Sequence, residues 1–390
     1  MSAAREAVIV DAVRTPVGRR GGMLSDRHPV ELGADVLSAL ADRNGLDPAQ
    51  VEDVVWGCVT TIGEQSSNVG RWSALAAGWP DTVPGTTVDR ACGSSQQAIH
   101  FAAAAVISGQ HDVVIAGGVE SMSRVPMGST RTSGHGQARG PRIAGRYGET
   151  DFSQGTAAEM VAAKWSLTRT ELDEFSLQSH ARAADATDTG RFAGQLIELR
   201  AADGEAITKD EGIRRGGDLA TMAKLRTSFA ENGVITAGNS SQISDGAAAL
   251  LIMSAERAAD LGYLPLARFH SFALTAVDPV LMLTGPISAT ERVLARSGLR
   301  IGDIGAFEVN EAFASVTLAW LAETGADPAL LNPNGGAIAL GHPLGATGAR
   351  LATTLVHHLR DNGIRYGLQA ICEAGGMANA MILESLDTPA

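Results

Sequence analysis

Short apolar runs bounded by turns alternate, along the first third of the chain, with stretches whose apolar residues recur every three to four positions. Residues 7–12 form the first apolar run and predict a buried strand, closed by a turn over residues 14–18. Leu32, Val36, Leu37 and Leu40 then share one helical face, and the pattern stops at Asn44 and Gly45. Residues 51–57 predict a second strand. An Ala-rich run over 96–108, ending at Gly109, predicts a helix, and residues 112–118 a strand with a glycine stop. Strand and helix in alternation predict an α/β domain.

From 121 to 148 this pattern is lost. The segment is rich in Gly, Ser and Thr, holds Arg124, Arg131, Arg139, Arg142 and Arg146, and has no acidic residue. It is too long for an ordinary connector. It reads as a solvated basic loop, as a subunit contact, or as a loop near a phosphate-bearing ligand. Residues 155–191 predict helix, with Thr168 and Glu171 spaced as a capping box before Leu172. Residues 192–241 are mixed and turn-rich. A second α/β half begins near Pro265, and its pattern repeats that of the first. Residues 299–307 match 46–55, and 367–375 match 112–118, about 250 residues apart. Between each matched pair lies a glycine-rich turn leading into a helix, one holding Cys92 and the other His342. A site at the boundary of the two halves is expected.

At 390 residues and 45% hydrophobic content the chain can fill two or three cores. A net charge of −12 speaks against a nucleic-acid partner. The N-terminal residues do not read as a signal peptide, no stretch reads as a membrane span, and the last five residues carry no recognised address. Cys58, Cys92 and Cys372 form neither a disulfide framework nor a spaced metal site. A soluble cytoplasmic protein with free thiols is expected.

Three of these positions can carry chemistry. Cys92 is expected between a strand and a helix start, where helix N–H groups and dipole would lower a thiol's pKa and favour the nucleophilic thiolate. Cys372 ends a predicted strand beside small residues, where a neutral thiol can give or take a proton. His342 sits in a loop of glycines and one proline, surroundings that a structural histidine rarely needs. Cys58 is assigned to the core. Asn310 follows the strand 306–309, at the end where open α/β sheets place ligand contacts. Ser241 is either a ligand contact or the cap of an Ala-rich helix after it.

The motifs Cys92-Gly93-Ser94-Ser95, Asn310-Glu311-Ala312-Phe313, Gly341-His342-Pro343-Leu344-Gly345 and Cys372-Glu373-Ala374-Gly375-Gly376 resemble the active-site motifs of the thiolases, and the resemblance runs end to end. It implies a five-layered α/β/α/β/α sandwich of two similar halves plus a loop domain. The halves would span 1–120 (completed by about 250–265) and 266–390, with the loop domain at 121–249. It also implies roles. Cys92 would hold the acyl group, His342 would activate it, and Cys372 would be the acid/base at carbon. Asn310 and His342 would serve one oxyanion hole, and the N–H groups of Cys92 and Ala374 another. Ser241, Arg214 and Phe313 would contact coenzyme A, which is a substrate; no cofactor or metal is implied. The partners implied are CoA and acyl-CoA, and a homodimer or a homotetramer built as a dimer of dimers, with the arginine-rich segment as the second contact.

Two residues depart from the family pattern: Ala374 stands where glycine is usual, and Glu373 places a carboxyl beside Cys372. The alternatives are a biosynthetic acetoacetyl-CoA thiolase, a ketoacyl-synthase-type condensing enzyme, or a non-catalytic acyl-CoA-binding relative.

Overall fold

The computed structural model describes residues 5–386 apart from 133, 135, 137, 149, 151 and 202; the sequence readings of the two chain ends fall largely outside this range. The first half runs β1 (Ala7–Arg14), α1 (Pro29–Asn44), β2 (Asp53–Gly57), α2 (Val69–Ala76), β3 (Gly85–Val88), α3 (Ser94–Ser108) and β4 (Val113–Ser121). The chain then leaves the sheet. This excursion contains α4 (Gln154–Lys164) and α5 (Arg169–Asp188), after which β5 (Ser244–Ser254) returns. The second half runs β6 (Ala267–Ala276), α6 (Gly285–Ser297), β7 (Ala306–Val309), α7 (Ala314–Thr324), α8 (Thr347–Asn362), β8 (Tyr366–Glu373) and β9 (Met377–Ser385).

The strands make one ten-stranded sheet, in the order β7-β8-β9-β6-β1-β5-β4-β2-β3, with Gly18–Arg19 pairing β5 off this path. The order is near-symmetric about the join of β6 and β1. Each half has an antiparallel pair beside the join, then two strands parallel to each other: β4 and β2 in one half, β8 and β7 in the other. Where β3 flanks β2, the second half has only a bridge between Phe307 and Leu331. Within the sheet the halves are joined by two strand pairs, Val8 with Arg268 and Ile9 with Ala267.

Side-chain alternation sorts these elements into five layers. Along β5, Ala247, Ala249, Leu251 and Met253 pack outward with Leu32, Val36, Leu37 and Leu40 of α1 and Val69 of α2. The intervening Ala248, Leu250 and Ile252 pack inward with α3 and α8. On β9, Met381 and Leu383 face that same middle layer, while Ala378, Ala380 and Ile382 face Ala289 and Val293 of α6 and Trp320 of α7. Strand period two thus serves two helix layers at once. The middle helices face apolar surface on both sides. In α3 this favours the small residues Ala98, Ala102 and Ala103, which let the two strand layers approach.

The sequence places most of these elements within a few residues. The capping box at Thr168 and Glu171 is present, but 155–191 is two helices, broken after Lys164 where Ser166 takes a φ of 53°. The Ala-rich run after Ser241 is not a helix for that serine to cap. It is β5, buried along its whole length between two helix layers. Continuous burial removes the polar positions that would have marked its period. Among the described residues of 122–148 the structure has a short turn at Ser129–Arg131 and a helix at Pro141–Tyr147. Cys58 is fully buried in the outer core. No helix among the described residues is long and apolar enough to cross a membrane.

Candidate active site

Both middle helices begin at the same place, and this brings the two glycine-rich turns together. Ala349 N–H at the start of α8 donates to Ser95 Oγ at the start of α3 at 2.9 Å. Gln369 Nε2 on β8 donates to Gly348 O at 2.8 Å and to Gln96 Oε1 at 3.1 Å. A Cβ on Gly348 would run into the backbone of Gln96, so glycine is required for this approach. Glu120, buried at the end of β4, accepts from Gly345 N–H at 2.9 Å and from the N–H groups of Val59 and Thr60.

Cys92 lies two residues ahead of α3, directly after Ala91, whose φ of 46° is unusual for a residue with a Cβ. Cys92 shares an apolar cluster with Leu344 and Ile371, the near neighbours of His342 and Cys372. Its Sγ accepts from Gln154 Nε2 of α4 at 3.8 Å. Contrary to the expectation of a thiol acidified by the helix start, burial first, and then nearby Glu373, push the Cys92 thiol up to about 12. The Gln154 amide opposes this only in part. Desolvation outweighs the helix start, so the resting side chain is a neutral thiol.

His342 is buried, and its backbone is fixed by N–H donation to Gln242 O and Ser244 Oγ, both at 3.2 Å. The preceding Gly341 has φ 101°, and a Cβ there would strike Ser244. Thr347 donates its hydroxyl proton to Pro343 O at 2.9 Å and lies 2.7 Å from His342 Nδ1. With that proton committed, Nδ1 carries the hydrogen and Nε2 the lone pair. Nε2 faces Asn310 Nδ2 at 3.4 Å. Burial, assisted by the charge of Arg350, lowers the imidazole to about 3, so it is neutral and able to accept a proton.

Asn310 stands just past β7, with its N–H donating to Ala370 O at 3.0 Å. The next residue, Glu311, accepts from Ser179 Oγ at 2.7 Å, Asn332 Nδ2 at 2.9 Å and Ile338 N–H at 3.1 Å, pinning the loop that leads into His342. Cys372 is fully buried near the end of β8. Its thiol is pushed well above the usual range by burial first, then by Cys92 and Glu373. The influence of Cys92 on the Cys372 thiol, and of Glu373 on both, places the two cysteines near one another. Glu373 turns inward: a Cβ on Gly93 would collide with its carboxyl group. Burial raises that carboxyl to about 8, with Arg90 opposing.

The structure therefore brings Cys92, Cys372, His342 and Asn310 together. Ala374 and Gly375 line a hollow beside them. Ser241 N–H donates to Ala312 O at 3.0 Å, next to a bridge between Ser240 and Phe313. Arg214 is exposed, tied through its N–H to His180 Nδ1 at 3.1 Å. Sequence reasoning missed Gln154, Glu120 and Thr347. Only Glu120 carried a signal, as an acidic residue closing an apolar strand.

Comparison with known proteins supplies the class. The thiolase N-terminal domain family matches residues 7–256, and the thiolase C-terminal domain family matches residues 263–385. The chain belongs to the thiolase family and is an acyltransferase. It is 50% identical to the steroid 3-ketoacyl-CoA thiolase FadA6 of Mycobacterium tuberculosis, over 98% of this chain and 94% of that protein. It is 42% identical to the 3-ketoacyl-CoA thiolase of Pseudoalteromonas translucida, over 97% and 98%. The crystal structure of the Bacillus anthracis acetyl-CoA acetyltransferase superposes with a TM-score of 0.90 at 36% identity, covering 99% of this chain and all of that one.

Proposed function

We propose that the enzyme cleaves 3-ketoacyl-CoA with free CoA to acetyl-CoA and a shortened acyl-CoA, and catalyses the reverse condensation, through a thioester on Cys92. The observation that carries this is the pair of buried thiols beside an imidazole whose Nε2 holds a lone pair. Both thiols are neutral at rest, so the nucleophile needs a base, and His342 Nε2 is that base. The Cys92 sulfur adds to the ketone carbon, and the bond between C2 and C3 breaks with its electrons passing to the acetyl-CoA enolate. Cys372 gives its proton to C2, and acetyl-CoA leaves. Free CoA then yields its thiol proton to Cys372 and takes the acyl group from Cys92, which leaves as a thiolate and recovers its proton from His342.

Donors aimed at developing oxyanions complete the scheme. They are the side chains of Asn310 and His342 at one oxygen, and the N–H groups of Cys92 and Ala374 at the other. Ser241, Arg214 and Phe313 are assigned to the CoA arm. Atoms and electrons balance with CoA as substrate and no added cofactor. The names of the relatives at 42–50% identity support the degradative direction over acetoacetyl-CoA synthesis. The reading includes a cytoplasmic enzyme, since reducing conditions preserve its free thiols. It also includes a homodimer built on β3, an outer strand with one neighbour in this chain. A dimer of dimers would add the outer surface of the excursion; light scattering gives the mass.

The deciding experiment is thiolysis of acetoacetyl-CoA and of a longer 3-ketoacyl-CoA, each with free CoA, by wild type and Cys92→Ala. Cleavage by wild type only, with an acyl mass on the Cys92 peptide, is expected. Cleavage by the variant at the wild-type rate would refute the covalent route.

A further inference from the structure

The excursion supplies a group that touches a reacting atom. Gln154 is the first residue of α4, and its half-buried side chain donates from Nε2 to Cys92 Sγ at 3.8 Å. That length is ordinary for sulfur, whose radius exceeds that of oxygen. The two halves of the sheet carry Cys92, His342, Cys372 and Asn310, so Gln154 enters the site from a third part of the chain.

Helix α4 is a firm platform for this side chain. Ser153 caps it, accepting from Thr156 N–H at 3.3 Å. Ala157, Ala158, Val161 and Ala162 pack into the cluster that holds Cys372 and Phe313. Ser315 Oγ donates to Ala158 O at 3.1 Å. The Glu159 carboxylate accepts from Val234 N–H at 2.8 Å and from Ile235 N–H at 3.0 Å. A Cβ on Gly155 would overlap the Phe229 ring, so glycine lets the helix start lie flush against its neighbour. The amide is therefore aimed at the sulfur by a docked helix and not by a loop.

The chemistry gives such a donor a task. Cys92 passes through a thiolate when His342 takes its proton and again when CoA takes the acyl group. Burial disfavours that thiolate first, and the carboxyl groups of Glu373 and Glu120 disfavour it further. The Gln154 amide is the side-chain donor that opposes them. It brings no charge, so it leaves the imidazole neutral and able to accept a proton. Sulfur in a thioester shares its lone pair with the carbonyl and accepts weakly, whereas a thiolate accepts strongly. The amide thus holds the charged form more tightly than the acylated one, which is the condition for accelerating its formation and its departure.

We propose that Gln154 is a further catalytic residue, whose amide N–H stabilises the Cys92 thiolate as it forms and as it leaves the acyl group. The proposal rests on the thioester role given to Cys92 and adds a donor to it.

The test is the rate at which iodoacetamide alkylates Cys92, read by mass on the Cys92 peptide across the neutral and mildly alkaline pH range. Gln154→Met keeps the length and removes the donor, and Gln154→Glu keeps the shape and turns a donor into an acceptor. Below the thiol's pKa the rate follows the thiolate fraction, so a lost donor lowers it by one factor at every pH. A drop of about fivefold is expected for Gln154→Met, because greater nucleophilicity of the more basic sulfur offsets part of the fall in thiolate. Gln154→Glu should drop further. In thiolysis, kcat should fall in the same order with little change in the KM for CoA. A variant that fails to fold would expose the thiol and react faster, the opposite sign; circular dichroism identifies it, and the other isostere then decides. Alkylation at the wild-type rate in the folded variants overturns the proposal. So does a change confined to the ratio between short and long acyl chains, which would assign the amide to the acyl group. No thiolysis by wild type refutes the thioester reading, whereas thiolysis with an unchanged alkylation rate refutes only this one.

Discussion

The turn before α3 and the turn before α8 occupy matching places in the two halves, yet they are built differently. The first is short: Cys92 stands two residues from the helix, displayed by a backbone that twists through Ala91 at φ 46°. The second is longer and clamped from several sides. His342 stands five residues from its helix, held by Gln242, Ser244, Thr347 and Asn310. One turn presents a reacting atom, and the other orients a proton acceptor. Burial acts on both and favours the uncharged form of each, raising the thiol to about 12 and lowering the imidazole to about 3. A dry site therefore rests without charge, and proton transfer accompanies attack on substrate rather than preceding it.

The comparison can be broken most severely by removing either reacting atom. Cys92→Ala should lower kcat by about 10⁴-fold or more, and His342→Ala by about 10³-fold, in steady-state thiolysis with folded protein verified by circular dichroism. Equal small losses in both would mean the two turns do not share one reaction. Next is Gly348→Ala, which forces a methyl group against the Gln96 backbone and wedges the turns apart. A loss of about 1–3 kcal/mol in urea unfolding is expected. An unchanged midpoint would show that the close approach of α3 and α8 is not needed.

Thr347→Val sharpens the comparison by releasing only the Nδ1 side of His342. A drop of about tenfold in kcat with little change in KM is expected. Glu373→Gln is the mildest. Its carboxyl is neutral below about 8 and negative above, and the negative form opposes both thiolates. The variant's thiolate-dependent limb of kcat/KM against pH should therefore move to lower pH. The folded carboxyl titrates above its unfolded value, so its stabilising neutral form is lost as pH rises through about 8. A thermal melt series should show that loss in wild type and not in the variant.

Legibility in the sequence followed the range of the forces involved. Strand β1, helix α1 and the capping box of α5 were readable because each depends on neighbours a few residues away. The run 244–254 misled because a strand covered on both faces has no polar positions left to show its period. Cys92, His342, Cys372 and Asn310 stood out through the turns and strand ends that carry them. Gln154 did not, because its place beside Cys92 arises from packing across 62 residues of chain. The direction of the Cys92 pKa was misjudged for a related reason. A helix start is visible locally, whereas the depth of burial that overrides it is a property of the assembled layers.

The narrow join of β6 to β1 bears on how the polypeptide is made. β1 leaves the ribosome ahead of the other strands of the sheet, yet one of its edges is met only when β6 emerges, after more than half of the described residues. The inner face of the first half, lined in part by α3, is closed still later, when α8 arrives. During that interval the nascent chain carries apolar surface that α3 alone does not cover, a hazard at cellular concentrations. Either half expressed alone should therefore be a substrate for chaperones rather than a stable fragment, and co-expressed halves should be recovered as a complex or not at all.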